Sequence, residues 1–380
     1  MKGKHISAIL FFLFLLIFPL CLLLFPKESF SENENRLLAE PPQLTLRNLV
    51  STKFMTDTED YISDHFIYRD LWVSAKSRME FLTGKRELNR VFVGKDALFE
   101  NLDRPNDRYV RLNASAISDF VERVGKPSYL MVVPTSAAIQ GNRLPTFAGV
   151  WDQKAFIDSF YSKMPQQVKC VDIYSAFLGA ANEYIYYRTD HHWTSLGAYY
   201  AYNSVITEMG QKPYAKNQFN IEHVSYDFNG TYFSKAKFEG ITPDSIDYYH
   251  CTALEREVEV AVNNGKNVQK FNTPYFREYL TQKDKYASFL GPNQPVVTVT
   301  AVTDETHPGT GKSLLIFKDS FAHSLLPFLT LHYDKITLVD LRYTKNNYEN
   351  YISGDISDYD QILFLYGISS VANANDPSML

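Results

Sequence analysis

Four short runs of this sequence are apolar at almost every position: "YLMVV" at 129–133, "SLLIF" at 313–317, "KITLV" at 335–339 and "QILFLY" at 361–366. A strand with one wet face alternates apolar and polar residues, whereas a strand covered on both faces does not. Further strands are expected at 168–173 and 184–188, and helices at 152–164, 195–209 and 320–331, the last interrupted by Pro327. Thr194 is placed to cap the second of these helices. Alternation of this kind implies an α/β fold, with a mostly parallel sheet covered by helices. The rhythm fails from about 210 to 308, a segment rich in Tyr, Phe, Asn and Lys with short β-like runs at 257–262 and 296–302. That segment reads as an insertion lying over the sheet. Ahead of the α/β part, "NRVFVGKDALFEN" (89–101) reads as a hairpin turning at Gly94-Lys95-Asp96.

The N-terminus adds a second constraint. Lys2 and Lys4 precede a run at 6–25 that carries no charge. Roughly 20 apolar residues suffice to cross a hydrocarbon core ~30 Å thick. Lysines before the run favour an N-inside orientation. The run is longer than a signal-peptide core, and "SFS" (29–31) is a poor cleavage site. Residues 1–26 are therefore expected to be a single-pass anchor, with a cleaved signal peptide as the alternative, and the rest works outside the cytoplasm. Residues 27–88 read as a linker and a helical neck in which Phe54, Tyr61, Phe66, Leu71, Trp72 and Met79 recur at helical intervals. Residues 89–380 then form the main α/β domain. The formal net charge of −5 is too small to draw in nucleic acid. Of three cysteines, Cys21 lies in the apolar run, and Cys170 and Cys251 either pair or stay as free thiols.

The chemistry-bearing residues are concentrated in "YYRTDHHWTSLGAYYAY" (186–202). Asp190 and His192 are two apart, so on an extended segment they share one side. A carboxylate on Nδ1 would fix the tautomer and leave Nε2 free as a base. The best nucleophile is Ser320 in "IFKDSFAHSLL", directly after an apolar strand and at the start of a helix. Such a turn lies at the carboxyl end of the sheet, where open α/β folds place their sites. From local sequence alone, a helix N-cap is the stronger reading of Ser320. Ser357 in "DIS" is a weaker competitor, in a polar loop with no strand before it. Zinc is the rival for the histidines, but adjacent side chains diverge and no third ligand has the usual spacing. His191 reads as a core histidine. His65, His223, His250, His307, His323 and His332 each stand alone, on surfaces or in turns. No metal is implied, and without a glycine-rich phosphate loop no cofactor is implied.

Together, "RTDHHWTSLGAYYAY", "IFKDSFAHSLLPFL", "ITLVDLRY" and "ILFLYGI" resemble the bacterial DHHW protein family, as do "ENRLLAEPP", "DHFIYRD" and "VFVGKDALFEN" upstream. That family is similar to the catalytic domains of the alginate O-acetyltransferase proteins in the SGNH-hydrolase superfamily. The resemblance implies a three-layer α/β/α sandwich with a permuted triad, in which Asp190 orients, His192 is the base and Ser320 the nucleophile. It also implies substrate contacts from Arg342 and Tyr366, with Trp193 beside the pair as a third candidate. Two departures stand out. Lys318 replaces the glycine before Asp319-Ser320, and the separate Gly and Asn that help bind an oxyanion have only Gly141-Asn142 as a stand-in.

The function this implies is an O-acyltransferase, most simply an O-acetyltransferase, acting on a cell-surface or secreted polysaccharide. A membrane-bound O-acyltransferase would supply the acyl group, and the N-terminal helix would hold the chain in the membrane. A carbohydrate esterase using the same triad, and a non-catalytic glycan-binding surface protein, are the alternatives.

Overall fold

A computed structural model of the chain describes all residues except 1–4, 7–10, 14, 18, 19, 21, 23, 25, 26, 28, 32–35, 255, 304, 306–308, 345, 346 and 353, and the side chains of 30, 36 and 37. The chain divides into two compact units. One is Met1–Asn89 with Ser234–Glu239, and the other is Arg90–Phe233 with Gly240–Leu380.

In the first unit, the pattern read as a neck forms three helices, Leu46–Val50, Lys53–Asp64 and Arg69–Leu82. The break between the last two falls at His65 and at Tyr68, whose φ of 54° is left-handed. Leu71, Trp72 and Met79 are exposed. The short segment Ser234–Glu239 joins this unit through the Phe81–Phe238 ring contact and the ion pair of Lys237 with Asp70. Of the expected membrane-crossing run, residues 6, 11–13, 15–17, 20, 22 and 24 are helical, and the others lie outside the described residues. Among the described residues no helix is long and apolar enough to cross a membrane.

The second unit is built on a sheet of eight strands among the described residues. They are β1 (Ser128–Val133), β2 (Val168–Cys170), β3 (Val258–Asn263), β4 (Val268–Phe271), β5 (Val296–Ala301), β6 (Ser313–Lys318), β7 (Lys335–Val339) and β8 (Gln361–Gly367). Their order is β4-β3-β5-β7-β6-β8-β1-β2. The block from β7 to β2 is parallel throughout. The four apolar runs are its β1, β6, β7 and β8, and both faces of each are buried. Leu130, Val132, Leu315, Phe317, Ile362 and Phe364 pack against the helices Asp107–Val124 and Gln153–Tyr161. Met131, Val133, Leu314, Ile316, Leu363 and Leu365 pack on the opposite face, with Ser195–Glu208 and Ala322–Leu329. The result is a three-layer α/β/α arrangement. Each fully buried aliphatic or aromatic side chain contributes about 1.5–3 kcal/mol relative to exposure.

Three local expectations need correction. First, 258–301 does not lie over the sheet but extends it, because β3 and β4 pair with each other and β3, β5 and β7 pair in turn, all antiparallel. Val258, Val260 and Val262 are buried while Glu259 between them is exposed. Such alternation marks an antiparallel strand with one wet face, unlike the uniform runs of the parallel block. Second, 184–188 is not a strand: one isolated bridge, Tyr186 to Trp193, closes a tight loop. Third, the expected elements lacked the helix Asp107–Val124. Its signals are present in Asn106, which caps it by accepting from the N–H of Arg108 and Tyr109, and in Gly125, which ends it at φ 65°. The hairpin forms as expected, with Phe92 opposite Phe99. Cys170 and Cys251 are free thiols.

Candidate active site

The loop before His192 is shaped by a carboxylate brought from far along the chain. Asp244 is fully buried and accepts hydrogen bonds from the Tyr184 hydroxyl (2.5 Å), Arg188 N–H (2.7 Å), Thr189 N–H (2.8 Å) and the Thr189 hydroxyl (2.5 Å). Buried backbone donors need partners, and here one side chain satisfies two and sets the turn that follows.

At that turn Asp190 meets His192. Asp190 Oδ1 accepts from His192 Nδ1 at 2.6 Å and from its backbone N–H at 2.9 Å. Asp190 Oδ2 accepts from the N–H and hydroxyl of Thr231, at 2.8 and 3.0 Å. Burial opposes ionisation of this carboxyl, but His191, His192 and their hydrogen bonds outweigh it and hold its pKa well below the usual range. Gly230 makes the approach possible. A Cβ there would lie 2.3 Å from Asp190 Cβ and 2.4 Å from Oδ2.

His192 Nε2 faces the Ser320 hydroxyl at 2.7 Å. With Nδ1 donating to the carboxylate, Nε2 is the acceptor and can take the serine proton. Burial, reinforced by the neighbouring His191 and opposed by Asp190, lowers the pKa of His192 to about 4. The neutral base is thus the resting form at neutral pH.

Ser320 lies on the turn between β6 and the helix Ala322–Leu329. It is not a helix cap: the N-cap position is Phe321, and the serine side chain is directed to His192 instead. Asp319 holds the turn, accepting from Phe321 N–H (3.1 Å), Gly367 N–H (2.6 Å) and the Ser370 hydroxyl (3.0 Å). It thereby ties the Ser320 turn to the end of β8. Among the described residues the N–H of Ser320 has no acceptor, which leaves it available to an oxyanion. Gly141 and Asn142 are exposed in the short helix Gly141–Arg143, and no hydrogen bond joins them to Ser320 among the described residues. Ser357 lies in the small turn Ile356–Asp358, where its N–H is capped by Asp355.

The other expected contacts divide. Trp193 has no exposed surface and gives its indole N–H to the Ser324 hydroxyl at 2.8 Å, so it is a core residue rather than a substrate contact. Tyr366 is likewise buried, with a hydroxyl that has no partner among the described residues. Arg342 keeps exposed surface but is held by Asp340, through Nε at 2.8 Å and Nη2 at 2.6 Å. Lys318 is buried and donates to His323 Nε2 (2.7 Å), Asn293 (3.1 Å) and Asp340 (3.2 Å). His323 is thus neither isolated nor on the surface, and His307 lies outside the described residues. Ligand atoms of Asp190, His191 and His192 come within 4.8 Å of one another. An ion there would have to displace the hydrogen bonds of Asp190 with His192 and Thr231.

Sequence reasoning missed Thr231, Gly230, Asp244 and Asp319. Only Asp319 carried a local signal, as the neighbour of the serine. The rest come from the 210–308 segment, whose approach to His192 no spacing could announce.

Residues 88–339 match the DHHW protein family. The fold is similar to the crystal structure of a DHHW family protein from Eubacterium siraeum DSM 15702. That likeness has a TM-score of 0.63 and 24% identity, over 77% of this chain and 95% of that one. It is also similar to Bacillus cereus PatB1, solved with a sulfonyl adduct, at TM-score 0.60 and 17% identity over 75% of this chain and 96% of that one. A fainter likeness, TM-score 0.47 and 15% identity, is to the O-acetyltransferase domain of Pseudomonas putida AlgJ, over 76% of this chain and 95% of that one. No protein of curated function matches the sequence. By the match across 88–339, this chain belongs to the DHHW protein family.

Proposed function

We propose that the chain is a serine-dependent O-acyltransferase, moving an acetyl group to a hydroxyl of a cell-surface or secreted polysaccharide. The supporting observation is the line from Asp190 through His192 to Ser320, closed by bonds of 2.6 and 2.7 Å. Along the chain the acid and base precede the serine, the order that the resemblance of its motifs implies.

The steps balance without any other group. Ser320 Oγ attacks the acyl carbonyl as His192 Nε2 takes its proton. The oxyanion is received by the Ser320 N–H, a type of interaction worth about 2.7–4 kcal/mol where one donor has been removed. His192 returns the proton to the departing alcohol, which leaves an acyl-serine. A sugar hydroxyl then gives its proton to His192 and attacks that ester. Collapse releases Ser320 Oγ, which recovers the proton. Asp190 holds the imidazole tautomer and stabilises the imidazolium at each stage.

Residues 6–25 are proposed to anchor the chain with its catalytic part outside the cytoplasm, beside a membrane-bound O-acyltransferase that donates the acyl group. The test is to mix the full chain, in detergent, with an activated acetyl ester, quench within seconds and map the modified peptide. An acetyl group on Ser320, absent from Ser320→Ala and passed to an added oligosaccharide, is the expected result. Loss of the group to water alone, with no transfer to sugar, would make the protein an esterase. No adduct in the folded protein would remove the catalytic reading.

A further inference from the structure

Tyr286 takes no part in the steps above, yet it touches both of their working groups. Its ring lies flat on His192, with centroids 3.7 Å apart and planes within 7°. Its hydroxyl is 3.0 Å from the Ser320 carbonyl oxygen and 3.1 Å from the Ser324 hydroxyl. Ser324 also meets the Trp193 indole at 2.8 Å. An indole N–H can only donate. Ser324 therefore accepts from Trp193 and donates to Tyr286, whose own proton goes to the Ser320 carbonyl. A one-way chain of hydrogen bonds thus links the loop that carries His192 to the turn that carries the nucleophile.

The surrounding segment is built to deliver this ring. Tyr286 lies in the short helix Lys285–Ser288. The loop around it is closed by Phe276 N–H on the Ser288 carbonyl (2.8 Å) and Leu290 N–H on the Pro274 carbonyl (3.0 Å). Tyr187 and Phe289 pack edgewise or tilted against the ring. Burial pushes the Tyr286 hydroxyl well above its ordinary pKa, so it stays a neutral donor.

The imidazole needs such a support. Asp190 and Ser320 hold it at its two nitrogens, which fixes a line through the ring but not the tilt about that line. A flat aromatic surface against one face removes the tilt. The same surface attracts the imidazolium that forms during the reaction.

We propose that Tyr286 is a positioning residue of the acyl-transfer site, its ring fixing the plane of His192 and its hydroxyl fixing the carbonyl of Ser320. This rests on the triad reading above. The test compares Tyr286→Phe and Tyr286→Leu with wild type, as full chains in detergent. Two quantities are read: the rate at which phenylmethylsulfonyl fluoride modifies Ser320, and the strongly deshielded proton NMR signal of the Asp190–His192 bond. Tyr286→Phe keeps the ring, so it should keep the signal and lose about threefold in rate with the lost hydroxyl bond. Tyr286→Leu should lose the signal to exchange and fall about a hundredfold, the scale of a misplaced catalytic group. A folded Leu variant with wild-type rate and signal would overturn the proposal. Should that variant not fold, the Phe variant decides, since an unchanged rate there overturns it as well. If wild type is not modified at Ser320, the triad reading fails, and the NMR comparison still tests whether Tyr286 holds the histidine.

Discussion

The parallel block and the 210–308 segment meet at His192, and each brings something the other lacks. β1, β6, β7 and β8 are covered on both faces, and β6 ends one residue before the Asp319-Ser320 turn. Asp319 N–H bonds to the Leu365 carbonyl at 3.2 Å, so the nucleophile's position follows from strand register. The other segment has few uniform strands and works through single side chains. Thr231 and Gly230 seat Asp190, Asp244 shapes the loop before it, and Tyr286 lies on the base. The parallel block decides where Ser320 stands, and the 210–308 segment decides how Asp190 and His192 are held. Sheet register thus sets where Ser320 lies, while Asp190 and His192 depend on contacts made across long stretches of chain.

Substitutions can separate these contributions. The largest effect should come from Asp190→Asn, which keeps the shape but loses the tautomer. Acylation of Ser320, followed by quenched mass spectrometry, should fall about 10⁴-fold, as in other triads. A small effect would mean that His192 does not rely on this carboxylate. Next comes Gly230→Ala, whose methyl group would enter the space of Asp190. It should slow acylation about a hundredfold by displacing the carboxylate, and lower stability in denaturant melts by about 1–3 kcal/mol through overpacking. A normal rate would show that the segment does not control the seat of Asp190. The smallest change should be Thr231→Val, which removes one of the two Thr231 bonds to Oδ2 and keeps the backbone one. A loss of about threefold is expected, and a loss as large as that of Asp190→Asn would mean that Thr231 acts in the chemistry itself.

The same division explains what the sequence could say. Uniform apolar runs report burial on both faces, so β1, β6, β7 and β8 were legible, and with them the serine at the end of β6. Asp190 and His192 were legible because they lie two residues apart. Their contact is made by a turn and not by a strand, a difference that Asp244 imposes from 54 positions beyond Asp190. β3 and β5 alternate like any half-exposed strand, and nothing local records which edge of the sheet they join. Tyr366 is a contact by resemblance and Trp193 by its place beside His192, and aromatic groups near a site can serve either purpose. Only packing shows that both are enclosed. The helix Asp107–Val124 is different, since its cap, apolar spacing and terminal glycine are all local and legible in the sequence.

The most direct test of the central claim is the pH dependence of Ser320 modification by phenylmethylsulfonyl fluoride. His192 acts as a base only when neutral, and burial with His191 lowers its pKa to about 4. The rate should therefore fall as pH drops through about 4, and stay level from about 5.5 to 8. A rate that instead climbs steadily with hydroxide across the neutral range, with no plateau, would show a serine without a working base and contradict the account.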